Sequence, residues 1–198
     1  EKGAGWQRAL ALLVGIGRAA LEPHAIAHNS AISACEKGAE WQRALALLDT
    51  MGRTSVKPDV FSYNATISAC GKRVEWQRAI ALLAAMARGA LEPNVISYSA
   101  AISACEKGVQ WQKALVLLTT MTWSTLKPSV VSHSAAISAC EKSLEWQMAL
   151  LLLATMCRVT LEPNITSYSA AISACEKARE WQMALALLAI VGQASLEP

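Results

Sequence analysis

The side chains of this 198-residue chain that could act as nucleophiles, metal ligands or acid–base pairs are six cysteines, three histidines and fifteen acids. Their spacing decides what chemistry is open to them. Cys35, Cys70, Cys105, Cys140 and Cys175 follow one another at intervals of 35 residues. Glu36, Glu106, Glu141 and Glu176 share one slot of the same 35-residue period, and Glu22, Glu92 and Glu162 share another. Such series place one copy of a group in each successive unit. A nucleophile needs a base within hydrogen-bond reach, a shared-proton dyad needs two adjacent carboxylates, and a metal needs converging ligands. One group per unit supplies none of these. No CxxC occurs, and the histidines His24, His28 and His133 have no Cys or Asp at ligand spacing. No enzymatic role, cofactor or metal is expected. Disulfides are not expected either, because helices that repeat along an array pack about 8–10 Å apart, beyond the usual Cα reach of a bridge. Five cysteines read as small core residues and all six as free thiols in a reducing compartment; Cys157 has no counterpart.

Two further series carry polar chemistry. Lys37, Lys72, Lys107, Lys142 and Lys177 recur in all five units, each in the last turn of an expected helix, where a cation complements the helix dipole. The residue after each internal proline is His24, Asp59, Asn94, Ser129 or Asn164. Four of those five are good N-caps for a following helix.

The elements that position these groups follow from the same period. Trp6, Trp41, Trp76, Trp111, Trp146 and Trp181 are each 35 apart, as are Pro23, Pro58, Pro93, Pro128, Pro163 and Pro198. A fixed period in this range marks a stacked repeat array. Within a unit, Tyr98, Ala101, Ile102 and Cys105 lie at i, i+3, i+4 and i+7, one face of a helix over roughly Val95 to Lys107. Gly108 is the expected stop, with Gly38 in the same slot. Trp111, Ala114, Leu115 and Leu118 repeat the stripe on a second helix, roughly Gln110 to Met121. The proline that follows prevents that helix from running on. No strand pattern is present. The predicted fold is all-α, a right-handed α-solenoid of 35-residue helix–turn–helix repeats with eleven helices. It forms one array over residues 1–198: a partial repeat 1–24, then 25–59, 60–94, 95–129, 130–164 and 165–198. The chain starts in mid-repeat and shows no polar capping repeat, so the interior of a longer protein is expected.

The aligned tryptophans sit on the apolar stripe of the second helix. Burying one removes about 150–250 Å² from water, worth up to roughly 4–6 kcal/mol, whereas stacking one base contributes about 1–3 kcal/mol. A core role is therefore expected of them. Trp123 matches nothing and is expected in the loop between repeats. Composition allows this architecture: 54% of residues are hydrophobic and the formal net charge is only +3. No uninterrupted apolar run reaches 18 residues, and the candidate Ala149 to Cys157 is half of what a membrane span needs, so no membrane insertion is expected.

A 35-residue hairpin reading Val-x-Ser-Tyr-(Asn/Ser)-x-x-Ile-Ser-Ala-Cys-x-Lys, then Ala-(Leu/Ile)-x-Leu-Leu-x-x-Met, then Leu-(Lys/Glu)-Pro-(Asp/Asn), resembles the pentatricopeptide repeat over the entire chain. The Trp-x-x-Leu-Gly-x-x-Tyr signature of the tetratricopeptide repeat is missing. Departures from the family pattern are Trp at the start of the second helix, His28 and His133 in place of Tyr, and Ser99, Ser134 and Ser169 where Asn or Thr is commoner.

The resemblance implies an organellar protein, of plastid or mitochondrion, binding single-stranded RNA with one repeat facing one base, in RNA processing, stability or translation. Base identity would be read by Asn29 with Asp59, Asn64 with Asn94, Ser99 with Ser129, and Ser134 with Asn164, with Ser169 beginning a further pair. Ile26, Phe61, Ile96, Val131 and Thr166 would sandwich the bases. The lysines Lys37, Lys72, Lys107, Lys142 and Lys177 would meet phosphates. Amide and carboxylate groups suit base edges, and flat bases suit apolar walls. The alternative is an array of the same fold serving as a protein–protein scaffold in a large organellar assembly, such as a ribosome or photosynthetic complex. Three features keep that alternative in play beside the leading RNA reading: the net charge is low for an RNA binder, the selector positions held by serine are ambiguous, and only five bases could be read.

Overall fold

The computed structural model describes residues 5–18, 25–54, 56–89 and 91–194. Among them are eleven α-helices and no strand: α1 Gly5–Arg18, α2 Ala25–Lys37, α3 Trp41–Arg53, α4 Val60–Lys72, α5 Trp76–Arg88, α6 Val95–Lys107, α7 Trp111–Trp123, α8 Val130–Lys142, α9 Trp146–Arg158, α10 Ile165–Lys177 and α11 Trp181–Ala194. This is the all-α repeat expected from the period. The chain divides into two compact units, 1–104 and 105–198. Within each, a first helix packs on its own second helix (α2 on α3, α4 on α5, α8 on α9, α10 on α11). It also packs on the next first helix, α2 on α4 and α8 on α10.

The core follows from residue size at fixed slots. Ile32, Ile67, Ile102 and Ile137 on the first helices are wholly buried, as are Met51, Met86, Met121 and Met156 on the second. Around them lie small residues that let helices approach: Ala44, Ala79, Ala114 and Ala149, and the five periodic cysteines. The cysteines are free and buried, which pushes the thiols of Cys70, Cys105 and Cys140 up to about 11. Cys157 is exposed.

The turn between first and second helix differs from the expected glycine stop. The left-handed residue is not Gly38 or Gly108 but the one after, Ala39 and Val109 at φ 55°, with Val74, Leu144 and Arg179 at 62–65° in the same slot. The hydrogen bonds explain why. The N–H of Gln110 donates to the carbonyl of Cys105 (2.9 Å) and that of Val109 to Glu106 (3.1 Å), with Glu40 to Cys35 and Ala39 to Glu36 alike. This pair of bonds is the Schellman closure, and it needs αL backbone at the second residue past the helix, whatever side chain stands there. The second helices close the same way: Leu126 donates to Met121 and Leu161 to Met156, with Thr125 and Thr160 at positive φ.

The tryptophans are not full core residues. Trp6, Trp41, Trp76, Trp111 and Trp146 are half-buried, and Trp181 is 63% exposed. Trp6 and Trp41 pack their inner faces on the cluster around Ile32, Cys35 and Met51. Their outer faces take a guanidinium from the next second helix, Arg43 at 3.7 Å over Trp6 and Arg78 at 5.2 Å over Trp41. A Trp in the first turn of a helix reaches the edge of the core rather than its centre. Trp123 is also placed differently from expectation: it is the last residue of α7, 84% exposed, in the slot held by Arg53, Arg88 and Arg158.

Candidate nucleic-acid interface

The start of each first helix carries the polar groups singled out in the sequence. Asp59 caps α4: its Oδ1 accepts from the Ser62 N–H (2.8 Å), and the Ser62 hydroxyl accepts from the Asp59 N–H (2.9 Å), a complete capping box. Ser129 caps α8 through the Ser132 N–H (3.2 Å) and Asn164 caps α10 through the Ser167 N–H (2.9 Å). Asn94 accepts from the Ser97 N–H at 3.0 Å in the same way before α6. The capping expectation therefore holds at all four positions.

The caps also touch the preceding repeat. The Asn29 amide donates to Asp59 Oδ2 at 2.9 Å, and the Asn64 amide approaches Asn94 Oδ1 at 3.4 Å. The Ser97 hydroxyl donates to Asn64 Oδ1 at 2.6 Å. Ser134 donates to Asn164 Oδ1 at 3.3 Å and lies 2.7 Å from the Ser167 hydroxyl. Three of the paired positions are thus in direct contact, 30 residues apart in sequence. Burial works against the charge of Asp59, but the bonds from the Ser62 N–H, the Asn29 amide, the Ser62 hydroxyl and the Phe61 N–H outweigh it and hold the carboxyl below its ordinary range. Asp59 is therefore ionised and acceptor-only at neutral pH, whereas Asn94 keeps both donor and acceptor. Asn29 Oδ1 and the Ser99 hydroxyl are buried atoms with no hydrogen-bond partner among the described residues. Ser169 lies exposed on α10.

Beside each polar pair stands an apolar side chain that the fold leaves in solvent. Ile26, Phe61, Ile96 and Val131 are exposed by 55–78%, and Thr166 is exposed in the same slot. Large apolar residues left outside at a fixed period call for a ligand more than scattered ones do. In the first unit, Ile26 and Phe61 line a cavity of about 640 Å³ together with Asn29, Lys37 and Trp6. A flat group lying there would meet an apolar wall on each side and an amide edge-on. Trp6, of which a core role was expected, thus borders this face.

The lysine row is arranged in a way the sequence did not suggest. Lys72 binds Glu36 at 2.7 Å, Lys142 binds Glu106 at 2.7 Å and Lys177 binds Glu141 at 2.9 Å. Each lysine is held by the acid of the preceding repeat, 36 residues back. Ser68 and Ser173 donate to the same carboxylates at 3.0 Å. Lys37 and Lys107 are exposed. The adjacency of Glu and Lys in the sequence was the available signal, but it points along one helix, not between two. No cluster of three or more His, Cys, Asp or Glu among the described residues could hold a metal ion, and no described helix is long and apolar enough to cross a membrane.

The comparisons with known proteins fit this geometry. The model of the PPR repeat family matches residues 58–107, and that of the pentatricopeptide repeat domain matches residues 12–73 and 116–178. No curated protein matches the sequence. Among solved structures the chain is similar to the pentatricopeptide repeat protein PPR10 from maize, with 26% identity and a TM-score of 0.78 over 100% of this chain and 28% of that one. It is similar too to PPR10 in complex with an 18-nt psaJ RNA element, with 23% identity and a TM-score of 0.81 over 98% of this chain and 28% of that one. The PPR domain of Arabidopsis thaliana protein-only RNase P 1 in complex with tRNA gives 15% identity and a TM-score of 0.72, over 84% and 88% of the two chains. The chain spans little more than a quarter of PPR10. With the model of the pentatricopeptide repeat domain matching more than half of its residues, the chain belongs to the pentatricopeptide repeat family.

Proposed function

We propose that this chain binds single-stranded RNA, one base per repeat, as part of an organellar protein acting in RNA processing, stability or translation. The observation that carries the reading is the Asn29–Asp59 contact at 2.9 Å, set between the exposed side chains of Ile26 and Phe61. A base between those walls presents its edge to a carboxylate that accepts and to an amide. Uracil offers N3–H, and Asp59 Oδ2, on which the Asn29 amide is bonded at 2.9 Å, has a second lone pair to accept it. At this first pair the preferred base is therefore U. The mixed Asn64–Asn94 pair takes C or U. Ser134 with Asn164 takes A, following the family's preferences. The RNA seen in the PPR10 and protein-only RNase P 1 complexes supports the ligand class.

The test is a binding titration with poly(U), poly(A) and a duplex of the two. Single strands bind and the duplex does not, because stacked, paired bases cannot enter the cavity. Phe61→Ala weakens the single strand by roughly 1–3 kcal/mol, the worth of one stacked base. Equal binding of duplex and single strand overturns the reading.

One observation favours the scaffold alternative. In the second unit the second helices expose Val116, Trp123, Leu151 and Val159, and Leu115, Leu118, Met148 and Leu151 line a groove of about 770 Å³. That groove is formed mostly by the second helices and is also lined by Lys127, Pro128 and His133 beside the Ser129 cap.

A further inference from the structure

We infer that Lys107 is the principal phosphate contact among Lys72, Lys107, Lys142 and Lys177, because the acid that neutralises the other three is replaced in its slot by Gly71. The inference rests on the RNA reading and sharpens it. Each clasped lysine is compensated by a carboxylate within 2.7–2.9 Å, and two of those carboxylates take a second donor, Ser68 on Glu36 and Ser173 on Glu141. A clasped pair carries no net charge. It attracts phosphate only weakly and releases few of the counterions condensed on the RNA, so it adds little to the salt dependence of binding. A lysine without an acid adds the full term, a slope of about 0.7 in log K against log salt for a single strand.

The slot of Glu36, Glu106 and Glu141 in repeat 60–94 is held by Gly71. The packing there is tight: a Cβ on Gly71 would lie 3.1 Å from the Ala104 Cβ and 3.3 Å from its Cα. Glycine lets α4 and α6 close on each other, and the clasping carboxylate is lost with the side chain. Lys107, at the exposed end of α6, has no ion pair or hydrogen bond among the described residues. For Lys37 the corresponding slot is Glu1, outside the described residues. The row is thus electrostatically uneven: Lys72, Lys142 and Lys177 are neutralised, and of these four lysines Lys107 alone presents its charge to a phosphate.

The experiment measures poly(U) affinity over a salt series for the whole chain and four variants, each checked for unchanged helicity and melting. Lys107→Gln lowers the slope by about 0.7. The double variant Glu36→Gln/Lys72→Gln deletes a clasp at constant net charge and leaves the slope where it was. Glu36→Gln alone frees Lys72 and raises the slope by about 0.7. Asp49→Asn, which removes the same charge from the second-helix face, does not. If Lys107→Gln leaves the slope unchanged, or the double variant lowers it as much, the inference is wrong while RNA binding stands. If the unaltered chain binds neither poly(U) nor a randomised single-stranded pool at low salt, the RNA reading fails and takes the inference with it.

Discussion

Changing Asp59 to Asn alters one atom type and separates readout from scaffold. In the native structure Asp59 Oδ1 caps α4 by accepting from Ser62, and Oδ2 accepts the Asn29 amide. Asparagine retains an oxygen for the cap, so the capping contribution of about 1 kcal/mol survives. The other position becomes an N–H₂ facing the Asn29 N–H₂. The conflict is relieved by turning the Asn29 amide, because Asn29 Oδ1 is a buried acceptor with no present partner. In the next repeat, where both residues are Asn, the Asn64 amide donates to Asn94 Oδ1 at the longer distance of 3.4 Å. A charge-assisted bond becomes a neutral one, a loss of roughly 1 kcal/mol in stability. The edge offered to the base changes from a pure acceptor to a mixed donor and acceptor. In binding titrations with four oligonucleotides differing only at the base facing this pair, the native chain prefers U. Asp59→Asn loses that preference and accepts C or U, with total affinity within about tenfold, or 1.4 kcal/mol. A variant that weakens all four oligonucleotides equally would refute the argument, since it would show Asp59 acting only as a cap.

Other outcomes follow from the same structure. Met121→Ala, at a wholly buried site, costs about 2–5 kcal/mol in a urea melt, whereas Trp123→Arg, which restores the residue of the equivalent slots, shifts the melt by less than about 0.5 kcal/mol; similar losses for both would contradict the burial pattern. Val109→Gly relieves a β-branched residue held at φ 55° and raises stability by about 1 kcal/mol, while a drop would deny the left-handed turn. Burial lowers the His133 pKa below its ordinary 6.5, the bond to the Ser129 carbonyl only partly opposing it. The folded state then binds fewer protons than the unfolded one, so stability is full above about pH 6.5 and declines as pH falls from there toward the lower folded pKa. His133→Tyr, the residue of equivalent slots, flattens that decline, and an undiminished decline would point elsewhere. Under native conditions a thiol reagent labels Cys157 alone; rapid labelling of Cys105, whose thiol is raised to about 11, would contradict its burial.

Helix count and register were legible because the period of 35 recurs without insertion, and each first helix extends two or three residues beyond either end of its Tyr–Ala–Ile–Cys stripe, as with Val95–Lys107 around Tyr98 to Cys105. The turn was not. Its αL residue is Val, Ala, Leu or Arg, so the geometry is imposed by the Schellman bonds and leaves no residue signature. The tryptophans misled because an apolar stripe reports direction and not depth: at the first turn of a helix the same direction leads to the rim of the core. The caps were legible from Pro followed by Asp, Asn or Ser. That Asp59 also meets Asn29 came only through the family resemblance, since contact between residues 30 apart depends on how two first helices are set side by side. The Glu36–Lys72 clasp has the same origin, and for that reason the lysines read as a free basic row when three of them are paired.

The most direct test is ultraviolet crosslinking of the native chain to cellular RNA, followed by peptide mapping of the adducts. Crosslinks are expected on first-helix peptides containing Ile26, Phe61, Ile96 and Val131, with single-stranded RNA recovered. Recovery of no RNA, or adducts confined to the second helices around Trp123 and Leu151, would contradict the central claim and leave the protein-scaffold reading in its place.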